Sequence, residues 1–177
     1  MNGFHSLPNL WLLSDERNDS MVETALAALP RGNAFVFRHY HLNPAERKAR
    51  FDRLAAICRR HDHLLVLSGT SKEAQDWGAD GAYGPARKLD RVCGIGRFAT
   101  VHDLLEMSRA ERYGIDAMFL SPVFPTRSHP DGSCLGKEHF LFMASKANAP
   151  VIALGGMNAE RAAELGWNRW AAIDGLS

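Results

Sequence analysis

Cysteine is scarce: Cys58, Cys93 and Cys134 are odd in number and far apart. That excludes a disulfide frame and a cysteine metal site, and it points to a reducing compartment. Cys58 and Cys93 read as small apolar packing residues. Cys134 lies in a polar loop where no adjacent pattern marks an activated nucleophile. An excess of one charge is also missing, since 21 Lys+Arg oppose 20 Asp+Glu. Nothing in that balance suits a general nucleic-acid or membrane surface. No apolar run approaches a membrane span, and the opening MNGFHSLPNL has neither the basic region nor the apolar core of a signal peptide. The expectation is a cytoplasmic protein without nucleic-acid or membrane partners. Eight histidines are present, but no pair has helical metal-ligand spacing.

What is present is a repeating pattern of strand, cap and helix. At 177 residues the chain reads as one domain, residues 1–177. Apolar runs of strand length fall at Asn9–Ser14, Ala34–Arg38, His63–Leu67, Asp80–Gly84, Arg91–Ile95, Ala117–Leu120, Val151–Leu154 and Trp170–Ile173. Helix starts lie between them: Ser20 with Glu23, Asn43 with Pro44 and Glu46, Thr70 with Glu73, Thr100 with Asp103, and Asn158. A further helix spans Lys137–Ala147. The strands lack polar alternation, as expected when both faces are buried. Eight such units predict a compact (β/α)8 barrel of the TIM type, with short helices and none after the last strand. An open doubly wound sheet is the alternative. In either fold, function sits on loops after strand C-termini.

Two of those loops carry chemistry. Phe119–Gly136, FLSPVFPTRSHPDGSCLG, is stiffened by Pro122, Pro125 and Pro130. Between these prolines stand Thr126, Arg127, Ser128 and His129, a set suited to an anion. Val151–Met157, VIALGGM, ends in Gly155-Gly156 ahead of Asn158, where backbone N–H groups can meet a phosphate. Arg38 closes an apolar strand, so it calls for a bound anion or a paired acid such as Asp15. His39 and His41 read as strand-end residues with one wet face, and His63 and His102 as core histidines. The four tryptophans read as packing residues.

SPVFPTRSHPDGSCLG followed by PVIALGGMNAE resembles the thiamine phosphate synthase family, and AAIDGL resembles the ending of a short bacterial branch of it. The match is specific over Ala117–Ser177; before Leu89 it is one of architecture. The resemblance implies a transferase of thiamine biosynthesis, which couples hydroxymethylpyrimidine diphosphate to a thiazole phosphate and releases diphosphate. It implies catalytic roles for Arg38 and His129 against the diphosphate. It implies substrate and phosphate contacts for Thr126, Ser128, Gly155, Gly156, Asp174 and Gly175. Magnesium is implied by the family, but the expected acidic positions read Ser68-Gly69 and Gly84-Pro85, so no metal ligand is assigned. The lysine expected soon after Arg38 is replaced by His39-Tyr40, the serine after the fifth strand by Gly96, and Asp174 stands where small residues face a phosphate.

Two other functions fit the same loops. A thiazole tautomerase would need a general base, but Ser121-Pro122 stand where that branch has its histidine. A non-catalytic thiazole or thiamine phosphate-binding protein is consistent with the replaced acidic positions. The sequence does not distinguish oligomeric states.

Overall fold

The computed structural model describes residues 6–126 and 133–173. Eight parallel strands close on themselves in chain order. They are β1 (Leu10–Leu13), β2 (Ala34–Phe37), β3 (Leu64–Ser68), β4 (Gly81–Pro85), β5 (Gly96–Val101), β6 (Ala117–Leu120), β7 (Val151–Leu154) and β8 (Trp170–Ala172). Closure is made by β1 on β8, with Trp11 opposite Ala171. The barrel is therefore confirmed and the open sheet is not. No helix among the described residues is long and apolar enough to cross a membrane.

Strand residues alternate between two cores, as a pleated strand requires. Trp11, Val36, Val66, Tyr83, Phe98, Phe119 and Ile152 fill the barrel interior, while Leu12, Phe35, Phe37, Leu65, Leu67 and Leu120 face the helices. The interior is keyed by aromatic edges: Trp11 meets Phe98 at 5.1 Å and Phe119 at 5.2 Å, and Tyr83 meets Phe119 at 5.0 Å. Gly81 makes room for this, since a Cβ there would lie 2.5 Å from the Phe98 ring.

The helices are α1 (Val22–Ala28), α2 (Pro44–Arg60), α3 (Ser71–Trp77), α4 (Leu104–Tyr113), α5 (Gly136–Ala144) and α6 (Ala159–Leu165). Side-chain caps predicted at Asn43, Thr70 and Asn158 all accept the expected backbone N–H, and α4 is capped by Asp103, which was expected three residues inside the helix. Two helix starts differ from expectation. The N-cap of α1 is Met21 without a side-chain bond, not Ser20. Thr100 lies inside β5 and caps nothing.

The fifth strand is the main correction. Arg91–Ile95 is a connection before the strand, so Gly96 opens β5 rather than following it. Arg97, which falls past the expected strand Arg91–Ile95, lies inside β5 and is buried. Its guanidinium donates to the carbonyls of Tyr113 (2.9 Å) and Gly114, the free end of α4, and its N–H donates to Asp116. Those orphan carbonyls let an arginine begin a buried strand. Cys58 is buried as expected, but Cys93 is exposed within this misread connection. His102 is likewise exposed, paired with Glu106 at 2.9 Å rather than packed in the core.

The C-terminal end of β2 is pinned by a chain of side chains. His39 is fully buried, not half-wet, at a positive φ of 38°, and it stacks on Phe37 at 4.7 Å. Its Nδ1 lies 2.7 Å from Ser14 Oγ and its Nε2 2.7 Å from Asp19 Oδ1. Ser14 Oγ already accepts the Arg38 N–H at 2.8 Å. Asp19 can only accept, so Nε2–H donates to it and Nδ1 accepts from the serine hydroxyl. Arg50 of α2 completes the chain on Asp19 at 2.8 Å and on Glu23.

Two measurements test this packing. Phe119→Ala removes the ring shared by Trp11 and Tyr83, and should cost about 3–5 kcal/mol of stability in urea unfolding. A loss below about 1 kcal/mol would show that the interior collapses to fill the space. The second measurement is pH dependence. Burial pushes the His39 imidazole below its ordinary 6.5 despite the Asp19 carboxylate; Arg50 and His41 act in the same direction as burial. The folded state then binds fewer protons than the unfolded chain, so this stability is complete above about pH 6.5 and declines as pH falls through that value. Burial also lowers His63. His39→Gln should therefore flatten part of the stability rise between about pH 5 and 7. An unchanged slope would show that His39 does not contribute to it.

Candidate functional site

The C-terminal rim of the barrel collects polar side chains that the alternation turns inward. Arg38 follows β2 on the side of Val36, Ser68 ends β3 on the side of Val66, and Thr100 continues the side of Phe98 in β5. Arg38 is paired with Asp15 at 3.6 Å, and its side chain is 24% exposed. Arg17 holds Asp15 from the other side at 2.9 Å. Burial works against the Asp15 charge, but hydrogen bonds from Arg17 and the charges of Arg17 and Arg38 outweigh it and keep this carboxyl below the usual range. The paired acid foreseen for Arg38 is thus present, and the arginine side chain remains partly exposed.

Aromatic hydroxyls surround this arginine. The Tyr40 ring lies 5.6 Å from the Arg38 guanidinium, within cation–π range. Its hydroxyl contacts Ser68 Oγ. Tyr83 stands buried beneath, and that burial raises its phenol further above its ordinary value. Ser14, His39 and Asp19 have the composition of a hydrolytic triad, but Ser14 is fully buried and its oxygen is occupied by the Arg38 N–H. It is a pin, not a nucleophile.

The second part of the rim is built by β6 and β7. Beyond the strands the pairing continues, with Val123 N–H on Leu154 O at 2.9 Å and Phe124 N–H on Gly155 O at 3.0 Å. Gly156 (φ +63°) carries no Cβ because one would lie 2.5 Å from Pro125 O. Arg161 of α6 donates to Gly156 O at 2.5 Å and lies over the Phe124 ring at 5.2 Å. The glycine pair therefore has a packing duty beside any phosphate duty, and Gly156→Val would disturb loop packing first.

Arg38, Gly155, Gly156 and Thr126 share one end of the barrel, with β8 and β1 between the arginine and the glycines. Ser128, His129, Asp174 and Gly175, and any helix after β8, lie outside the described residues. Gly96 is removed from the rim, and Thr100 takes the place of a hydroxyl near the end of β5. Sequence reasoning missed Thr100 because the fifth strand was placed too early. It missed Tyr40 with Ser68 because they are distant in sequence. Ser68-Gly69 and Gly84-Pro85 do stand at the ends of β3 and β4. Among the described residues no group of three or more His, Cys, Asp or Glu could hold a metal ion.

Comparison with known proteins agrees with this geometry. The sequence profile of the family described as thiamine monophosphate synthase matches residues 10–176. A protein of Aquifex aeolicus, provisionally named thiamine-phosphate synthase 2, is 28% identical over 168 residues, covering 88% of each chain. The thiamine-phosphate synthase of Pyrococcus furiosus is 27% identical over 165 residues, covering 88% of this chain and 79% of that one. Of several longer relatives the chain spans only 33% to 49%. In fold, a solved thiamine phosphate pyrophosphorylase from Pyrococcus furiosus superposes with a TM-score of 0.77 at 24% identity, covering 93% of this chain and 85% of that one. The profile match over nearly the whole barrel places the chain in the thiamine monophosphate synthase family.

Proposed function

We infer that the chain, as a single barrel domain, joins hydroxymethylpyrimidine diphosphate to thiazole phosphate at its C-terminal rim. The observation that carries this reading is a partly exposed arginine whose backbone is pinned just after β2 and which has, among the described residues, a single ion-pair partner at 3.6 Å. In the reaction, the bond from the pyrimidine methylene carbon to the diphosphate oxygen breaks, and the electron pair leaves with diphosphate. The thiazole nitrogen then supplies the pair for the new carbon–nitrogen bond. No proton needs to be removed in that step, so the protein's work is alignment and charge stabilisation.

Arg38 anchors the departing diphosphate in this reading, and the family resemblance assigns Thr126, Ser128 and His129 to the same group. Thiazole phosphate is assigned in this reading to Gly155 and Gly156, where Arg161 brings a cation, and by the family resemblance to Asp174 and Gly175. Tyr40, Ser68 and Thr100 offer hydroxyls around the reacting centre. Magnesium, when bound in this family, supplies positive charge to the diphosphate. The described residues do not form an acidic set that fits it, and no step is derived through it. The tautomerase reading receives no support, since Ser121-Pro122 follow β6 and the named relatives are synthases.

The test is formation of thiamine phosphate from the two substrates by wild type and Arg38→Ala. Loss of one guanidinium from the developing charge should lower kcat/KM by about two to three powers of ten. The melting temperature should move little, because Ser14 and His39 hold the backbone without the Arg38 side chain. Unaltered kcat/KM with a large loss of stability would make Arg38 only the ion-pair partner of Asp15.

A further inference from the structure

We propose that Arg47, in the first turn of α2, is a positioning residue that fixes the gap between Arg38 on β2 and Ser68 on β3. This rests on the reading of Arg38 as the diphosphate anchor. The β2–β3 pairing stops at Phe37 and Leu67, so the next carbonyls, those of Arg38 and Ser68, need other donors. Arg47 supplies them. Its Nε donates to Arg38 O at 3.0 Å and its Nη2 to Ser68 O at 2.8 Å. Its Nη1 faces Glu73 of α3 at 3.5 Å. Each of the three guanidinium nitrogens thereby has a partner.

Its environment is aromatic. Phe37 lies 5.4 Å away, Trp77 5.2 Å and Tyr40 5.8 Å, measured from the guanidinium carbon to the ring centres. The side chain is 13% exposed, so these bonds are shielded from competing water. Tyr40 is therefore located twice, by its hydroxyl on Ser68 and by the guanidinium near its ring. The same device recurs between β8 and β1, where Asn18 Nδ2 donates to Leu13 O and Ile173 O, both at 2.9 Å. One fork holds the Asp15 side of the rim and the other holds the Arg38 side.

Arginine is required because two carbonyls on different strands need two donors at a fixed spacing. An ammonium is a single point of charge and cannot span them with the same geometry. Arg47→Lys keeps the charge and removes the fork. The gap between β2 and β3 is then free to change, and Arg38 loses its aim without losing its own side chain.

The test titrates inorganic diphosphate calorimetrically into wild type, Arg47→Lys, Arg38→Ala and the double variant, with urea unfolding of each. Arg47→Lys should weaken diphosphate binding roughly tenfold or more, and should have no further effect in the Arg38→Ala background. Arg47→Gln serves in the same cycle if Arg47→Lys does not fold. Reduced stability with unchanged binding would overturn the proposal and leave Arg47 a purely structural tie. An equal loss in both backgrounds would also overturn it, since Arg47 would then act independently of Arg38. No difference between wild type and Arg38→Ala would instead remove the anchor reading itself, and the proposal with it.

Discussion

The rim depends on how the peptide groups flanking one residue are satisfied where a strand ends. Beyond Phe37 the ladder no longer supplies partners to β2, and a buried unpaired N–H or carbonyl is costly. Ser14 takes the Arg38 N–H and Arg47 takes the Arg38 carbonyl. Both partners are then fixed by others, Ser14 by the His39–Asp19–Arg50 chain and Arg47 by Ser68 and its aromatic surround. His39 accepts a positive φ because its ring is bonded at both nitrogens and stacked on Phe37. The direction of Arg38, the position of Tyr40 and the entry into α2 all follow from this arrangement.

The two ends of the barrel are built differently. At the N-terminal end, Asn33, Asp80 and Asp116 accept backbone N–H groups of Leu10, Leu65 and Arg97, and Arg97 closes the end of α4. Those contacts consume polar groups locally and leave little to bind with. At the C-terminal end, the inward positions carry Arg38, Ser68, Tyr83 and Thr100 over an apolar aromatic plug. Polar groups above a dry floor are what charge stabilisation in a sheltered site needs. The division of labour between a stabilising end and a working end is the general rule for this fold.

Much of this was legible in the sequence because the barrel strands are short, apolar and separated by capped helices. Seven of eight strands fall near their expected places, and the side-chain caps Asn43, Thr70 and Asn158 are as read. The fifth strand was misplaced because Arg91–Ile95 is an apolar run just ahead of Gly96-Arg97, and only a folded α4 offers the carbonyls that let Arg97 be buried in a strand. His39 looked half-wet for a similar reason, since the partners that make its burial tolerable lie 20 and 25 residues away. Of the site, Arg38 with Asp15 was readable from an arginine closing an apolar strand. Tyr40 with Ser68 was not, since that pair crosses from one βα loop to the next strand. Arg47 was hidden in a basic helix, where a buried arginine and a solvated one look alike.

The central claim is that the partly exposed side chain of Arg38 receives the diphosphate, with the thiazole phosphate toward the glycine pair on the same rim. A crystal structure with thiamine phosphate and diphosphate bound tests it most directly. The account predicts diphosphate oxygens within hydrogen-bonding distance of the Arg38 guanidinium, beside Tyr40, and the thiamine phosphate monoester near Gly155 and Gly156. Diphosphate bound away from the C-terminal rim, with Arg38 engaged by Asp15 alone, would contradict it.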